Sequence, residues 1–327
     1  MRRAKILGTG SYLPKRILTN FDLEKIVDTT DEWIRTRTGM VERRIADDNE
    51  TTSDMAYAAS LEAISKSGLK SSDIDGIIVA TITPDMNFPS NACLIQDRLE
   101  IPSCIAFDFN AACSGFVYGL HIANSLIASG AANNILVVGS EKLSSITDYT
   151  DRNTCVLFGD GAGAVVLGAS KTTQGVRGTF VGSDGSKSEL LKRHAGQTRS
   201  PINKMGIYDY KQQYIFMDGK AIFKSAVHRM TSSLAMAVER ADLKLGDLNM
   251  VIPHQANLRI IESVKEFAKL NDDQIFVNIH KTGNTSSASI PIALDEAIKA
   301  GKLQTGHILG LTAFGGGLTF GAAVIEM

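Results

Sequence analysis

Three polar side chains stand where apolar runs end or helical patterns begin: Cys113, His254 and Asn284. Cys113 follows a short apolar strand, Ile105 to Asp108, and opens the helical pattern SGFVYGLHIANSLIASG. The first turn of a helix offers unpaired N–H groups and a partial positive charge, and both favour a thiolate over a thiol. A buried core cysteine is the competing reading. A nucleophilic cysteine needs a partner, often histidine, and donors for an oxyanion. His254 ends the run MVIPH, and strand ends in open α/β sheets are where sites form. The alternative there is a hydrogen-bonded structural histidine. Asn284, in KTGNTSSAS, stands at a helix start, where a plain N-cap is the alternative. The turn Gly315-Gly316-Gly317 can present a bare backbone N–H to an oxyanion, or it is simply a strand turn.

The elements that must position these groups alternate along the chain. Ala4–Gly10, Gly76–Thr81 and Asn134–Gly139 read as strands that are apolar throughout, and helical patterns lie between them over 20–27, 30–36, 52–68 and 91–99. Fully apolar strands between helices predict a buried, largely parallel sheet of α/β class. The run FGDGAGAVVLG from Phe158 is not a phosphate loop, because it leads into a strand and lacks Lys-Ser/Thr. The second half repeats the order, with helices over 219–241, 257–270 and 285–300 and strands over 250–253, 307–313 and 319–326. SGLKSSDIDGIIV matches RADLKLGDLNMVI, and FGDGAGAVVL matches FGGGLTFGAAVI. The pattern predicts two duplicated halves, 1–172 and 173–327. The helices after Cys113 and Asn284 end 171 residues apart, at Gly130 and Gly301, so Cys113 and Asn284 are expected at equivalent helix starts.

Composition sets the frame. The chain has 327 residues, 44% hydrophobic and 21% charged, with 34 basic against 35 acidic side chains. Nothing in that balance argues for a nucleic-acid or membrane-surface protein. The four cysteines form no C-x-x-C pair, which suits a reduced cytoplasm. The opening MRRAKILGTG is too short in apolar residues for a signal peptide, and no run reaches the ~18 residues of a membrane span.

Taken together, ACSG at Cys113, PHQAN at His254, GNTSSAS at Asn284 and AFGGG over 313–317 resemble β-ketoacyl-acyl-carrier-protein synthase III, the initiating condensing enzyme of type II fatty-acid synthesis. GTGSYLP, TDEWIRTRTGMVERRIA and DRNTCVLFGDGAGA extend the likeness over nearly the whole chain. The resemblance implies the thiolase-like five-layer αβαβα fold. Elongating relatives carry a second His where this chain has Asn284, and plant-type polyketide synthases close on G-F-G-P-G where this chain has Gly315-Gly316-Gly317. His307, in a stray T-G-H, is expected to be structural, and His280 is a lesser candidate.

The implied reaction has two halves. Cys113 takes an acyl group from a short acyl-CoA, with the N–H groups of Cys113 and Gly316 as oxyanion hole. Malonyl-carrier then loses CO₂ while His254 and Asn284 hold the thioester oxygen, and the carbanion attacks acyl-Cys113. No metal or redox cofactor is expected. The likeness further implies Trp33 and Arg152 flanking the CoA adenine, Arg37 and Thr38 near its phosphates, and Gly219 and Asn257 along the pantetheine tunnel. It implies Lys224 and Arg259 as attraction for acidic acyl carrier protein, and Phe88 inserted into a partner subunit's acyl pocket, hence a homodimer. The segment 187–211 is longer than expected and holds six Lys/Arg, as a carrier-affinity element, an entrance cover or a solvated insertion. A secondary-metabolite condensing enzyme with another acceptor and a non-catalytic scaffold are the alternatives.

Overall fold

The computed structural model describes residues 2–194, 198 and 210–327. The first half runs β1 (Ala4–Tyr12), β2 (Arg16–Thr19), α1 (Asn20–Leu23), α2 (Asp31–Thr38), β3 (Glu42–Ile45), α3 (Thr52–Ser67), β4 (Gly76–Ala80), α4 (Asn91–Arg98), β5 (Ile105–Phe109), α5 (Gly115–Ser129), β6 (Asn134–Glu141) and β7 (Gly161–Ala169). The second runs β8 (Gly175–Ser183), β9 (Leu191–Lys192), β10 (Phe216–Met217), α6 (Gly219–Arg240), β11 (Met250–Pro253), α7 (Leu258–Ala268), α8 (Ile279–Thr282), α9 (Ser289–Lys299), β12 (Ile308–Gly315) and β13 (Thr319–Glu326).

Local chemistry sets the ends that matter for the site. Thr30 caps α2 by accepting from the Trp33 N–H, and Gly39, at φ 79°, closes it. The helix expected over 20–27 stops after one turn at Leu23, held by a Thr19–Asp22 capping box.

Two sheets carry the halves, in the orders β1-β7-β6-β4-β5 and β11-β12-β13-β8. Parallel pairing is confined to β4 with β5 and β6, and to β11 with β12; the remaining pairs within the two sheets are antiparallel. Apolar side chains of α5 and α9 (Phe116, Leu120, Ala293, Leu294) pack in one core with both sheets, so this helix pair is the middle layer. Helices α3 and α4 cover the outer face of the first sheet, and α6 and α7 that of the second. The result is five layers. Strands buried on both faces need no polar alternation, which is why they read as unbroken apolar runs.

Strand register makes the duplication explicit. Gly76 pairs with Ile135 as Met250 pairs with Leu309, an offset of 174 for both strands (250 − 76 and 309 − 135). Each half also carries a bulge in its first strand, at Leu7 and at Arg177. The counterpart of β5 has shrunk to a single parallel bridge between Val251 and Ile275. At the helix starts the same offset holds. A 3-10 turn Ala112–Ser114 leads into α5, and Ser286–Ala288 leads into α9. Ala112 and Ser286 both sit at positive φ, 46° and 50°. The Asn110 carboxamide accepts from the Ala112 N–H at 3.0 Å, as Asn284 accepts from Ser286 at 2.9 Å. Asn284 is therefore the mate of Asn110, and the mate of Cys113 is Ser287. The expected Cys113–Asn284 equivalence is off by three residues, because it was aligned on the helix ends and α9 has 11 residues against 15 in α5.

Candidate active site

The two helix starts meet where the halves join. An added Cβ on Gly139 would lie 2.4 Å from the Ser287 carbonyl oxygen, and one on Gly315 would lie 2.5 Å from the Cys113 nitrogen. Glycine at both strand ends lets each helix start press onto the opposite sheet. A cavity of about 1000 Å³ opens beside this junction, and Cys113, His254 and Asn284 all line it.

His254 follows β11 and is 2% exposed. Its Nδ1 lies 2.6 Å from the Ser289 hydroxyl, which leaves Nε2 for the cavity. Burial drives its pKa down to about 3, so the imidazole is neutral. A Ser289 O–H donating to Nδ1 would place the ring hydrogen on Nε2, where it can donate to a substrate oxygen. Asn284 is 7% exposed. Its backbone is pinned on both sides, donating to the Leu157 carbonyl at 2.8 Å and accepting from Gly159 N–H at 3.0 Å. With Oδ1 taken by the Ser286 N–H, its NH₂ is the part free for a ligand. The fully buried Arg43 braces this strap through the Val156 carbonyl at 2.8 Å.

Cys113 keeps some open surface toward the cavity. Burial pushes its thiol up to about 12, against the Ser286 hydroxyl, which favours the ionised form. The sequence suggested a thiol lowered by the helix start. The structure corrects this: desolvation outweighs the single 3-10 turn, and the neutral thiol is the resting form.

Trp33, Arg37, Thr38, Gly219, Asn257 and Arg259 line the same cavity. The guanidiniums of Arg37 and Arg152 each stand 5.1 Å from the Trp33 ring centre, and Arg152 is steadied by the Asp28 carbonyl at 2.8 Å. Two of the expected contacts are otherwise engaged. The Thr38 hydroxyl donates to the Ile34 carbonyl and accepts from the Met40 N–H. The Asn257 amide caps α7 through Arg259 N–H and donates to the Arg37 carbonyl, tying α2 to α7. Gly316 sits against Leu191 and Ala112. Lys224 is exposed on α6 one turn beyond Lys220, which lines the opening. Arg259 lies 5.5 Å over the Phe223 ring. Phe88 is 85% exposed. His280 is exposed, and its carbonyl accepts from the Val41 N–H. His307 accepts from the Gln304 backbone, outside the cavity.

Of the segment 187–211, positions 195–197 and 199–209 lie outside the described residues. Its first end pairs with residues just beyond the segment in a small ladder, Leu191 with Met217 and Lys192 with Phe216, and Leu191, Lys211, Phe216 and Met217 line the cavity. The sequence reading missed Ser289 and Glu141. Ser289 was legible only as part of the GNTSSAS run, five residues beyond Asn284.

Comparison with known proteins gives the chain's relatives. Residues 107–185 match the family model for 3-oxoacyl-[acyl-carrier-protein (ACP)] synthase III, and 238–327 match its C-terminal model. The β-ketoacyl-[acyl-carrier-protein] synthase III of Caldanaerobacter subterraneus subsp. tengcongensis is 51% identical, over 99% of this chain and 97% of its own. The crystal structure of 3-oxoacyl-[acyl-carrier-protein] synthase III from Aquifex aeolicus superposes with a TM-score of 0.92 at 50% identity, covering 99% of this chain and all of that one (100%). A priming β-ketosynthase from the R1128 polyketide pathway gives 0.92 at 35% identity, covering 99% and 97%.

Proposed function

The chain belongs to the β-ketoacyl-[acyl-carrier-protein] synthase III family, and on that premise we propose that it condenses through an acyl thioester on Cys113. As a member of that family it is an acyltransferase of thiolase fold that joins a short acyl starter to malonyl-carrier and so initiates fatty-acid synthesis. The observation that carries the mechanistic reading is the meeting of Cys113, His254 and Asn284 on one cavity, with His254 held neutral.

In the first half-reaction Sγ of Cys113 attacks the acyl-CoA carbonyl. Its proton is released as the S–C bond forms, and the departing CoA sulfur takes one up. The N–H groups of Cys113 and Gly316 hold the tetrahedral oxyanion. In the second, the malonyl thioester loses CO₂, and the charge left on carbon spreads to the thioester oxygen. Nε2–H of His254 and the Asn284 NH₂ donate to that oxygen. The carbon then attacks the acyl carbonyl and frees the Cys113 sulfur. A neutral imidazole suits this role, since it donates without giving up a proton. Because the charge is stabilised by hydrogen bonds, the steps require no metal or redox cofactor.

Trp33, flanked by Arg37 and Arg152, receives the CoA adenine and phosphates, and Gly219 borders the pantetheine. Thr38 and Asn257 shape that wall through the backbone bonds above. Lys224 and Arg259 face the acidic carrier protein. Strand β5 is a sheet edge with Ile105 37% exposed, and Phe88 is 85% exposed three residues before Asn91, whose N–H donates to Asp108 of β5, which supports a homodimer formed on this face. Among the described residues no helix is long and apolar enough to cross a membrane, and a cytoplasmic enzyme is the reading we adopt.

Incubation with radiolabelled acetyl-CoA tests the proposal. The label is expected on the wild type and not on Cys113→Ala. Label retained by the variant, or absent from the wild type across short straight and branched acyl-CoAs, overturns it.

A further inference from the structure

Glu141 ends β6 and is fully buried, 0% exposed, at the junction of the halves. Its Oε2 accepts from the Thr81 hydroxyl at 3.2 Å, the Ile82 N–H at 3.0 Å and the Thr83 hydroxyl at 2.8 Å. Both threonine oxygens already accept from backbone N–H groups, of Thr83 and Lys142, so their own hydrogens are turned toward Glu141. Oε1 lies 2.8 Å from the Ser287 hydroxyl, and that same hydroxyl lies 2.8 Å from the Ala80 carbonyl. A serine hydroxyl has one hydrogen, yet two acceptor oxygens crowd it at hydrogen-bond distance. One hydrogen is missing from the count.

The internal repeat explains why the group is here. At the offset of 174, Ser287 is the mate of Cys113, and Glu141 is the mate of Gly315, which packs on Cys113. Ala80 is likewise the mate of His254. One copy of the junction is left bare for substrate. In the other, a carboxyl fills the space and holds the turn that leads from Asn284 to Ser289, the partner of His254.

We propose that Glu141 carries the missing hydrogen: it is a neutral carboxylic acid, donating from Oε1 to Ser287 while Ser287 donates to Ala80, and it is a positioning residue for the Asn284 turn. Among the described residues no cation forms an ion pair with Glu141. Lys142, next in the chain, sends its ammonium away to the Asp47, Asp48 and Glu50 carbonyls. Cys113 is close enough to feel a charge on Glu141, and an anion there would oppose the oxyanion of the first half-reaction. Burial pushes the Glu141 carboxyl upward, against the hydrogen bonds from Ser287, Thr83, Ile82 and Ser286 that favour its ionised form. The positioning role rests on the reading of Cys113 and Asn284 proposed above; the protonation state does not.

Carbon-13 NMR of the wild-type enzyme labelled at glutamate side-chain carboxyls tests protonation at pH 8. One neutral-acid resonance is expected, missing from Glu141→Gln. A spectrum of carboxylates alone overturns the proposal and needs no variant. For positioning, Glu141→Gln keeps the shape and the donor, and its condensation rate stays within about threefold of wild type. Glu141→Asp is too short to reach Ser287. It loses malonyl decarboxylation by ~10²-fold, while acyl loading of Cys113 holds within about threefold. Equal losses in Gln and Asp variants, or a common fall of both half-reactions in Glu141→Asp, overturn the role. If the wild type itself takes no label, the reading of the site fails while the NMR outcome still decides the proton.

Discussion

At the scale of single residues, the proposed chemistry depends on a neutral pair rather than a charged one. The His254 pKa falls from 6.5 to about 3, which has a stability consequence with a definite sign. Below pH 6.5 the unfolded chain binds a proton that the folded chain refuses. Folding stability is therefore lost as pH falls from about 6.5 toward 3, at ~1.4 kcal/mol per pH unit from this group. Chemical denaturation across that range should give a shallower slope for His254→Gln than for wild type; equal slopes refute the burial assignment. Over pH 6 to 8 the loading of Cys113 should show no inflection from an imidazole titrating near 6.5, which stopped-flow loading kinetics would reveal. Asn284 has one function left open by its backbone ties, donation from its NH₂. Asn284→Ala should slow malonyl decarboxylation by ~10²–10³-fold, the scale of a lost oxyanion donor, and leave Cys113 loading nearly intact.

At the scale of elements, strand ends and helix starts fix the site more tightly than any loop. The end of β12 presses on the start of α5 with no room for a side chain, since a Cβ on Gly315 would sit 2.5 Å from the Cys113 nitrogen. Gly315→Ala should cost about 1–3 kcal/mol in denaturant unfolding, as overpacking does, and lower Cys113 loading by ~10²-fold through misplacement. Gly219→Ala is the control, because the nearest atom to its added Cβ is 3.9 Å away, and it should unfold like wild type. On α2, Trp33 has two guanidiniums at 5.1 Å and only partial burial. Trp33→Ala should raise the KM for acyl-CoA about tenfold with little change in kcat, as expected for a lost base-stacking platform. A fall in kcat of the same size would move Trp33 out of the binding role.

For the whole molecule, the repeat is the organising fact. Two copies of one α/β unit place their central helices back to back, and each contributes to the one cavity of the proposed site: Cys113 from the first, His254 and Asn284 from the second. The mates Ser287, Ala80 and Asn110 form the silent copy. An exposed sheet edge at β5 and an 85% exposed Phe88 are costly on a lone protomer. Light scattering coupled to size exclusion should return twice the 35.1 kDa chain mass. Phe88→Ala should keep that mass and change the selectivity among starter acyl-CoAs, whereas a monomeric wild type would refute the partner-pocket reading.

Motif order and apolar strand runs were enough to read the family, the α/β halves and the three cavity residues, because local sequence sets strand burial and helix starts. Register was not legible. Aligning the repeats by helix ends mated Cys113 with Asn284; only paired strands, which tolerate no slip, showed that Cys113 mates with Ser287. Electrostatics were not legible either. A cysteine at a helix start reads as a lowered thiol, yet burial at the junction raises it to about 12. That difference, like the hydrogen count at Glu141, depends on groups far apart in the chain, such as Glu141 and Ser287 at 146 residues, meeting in a dry interior, and only the tertiary structure brings them there.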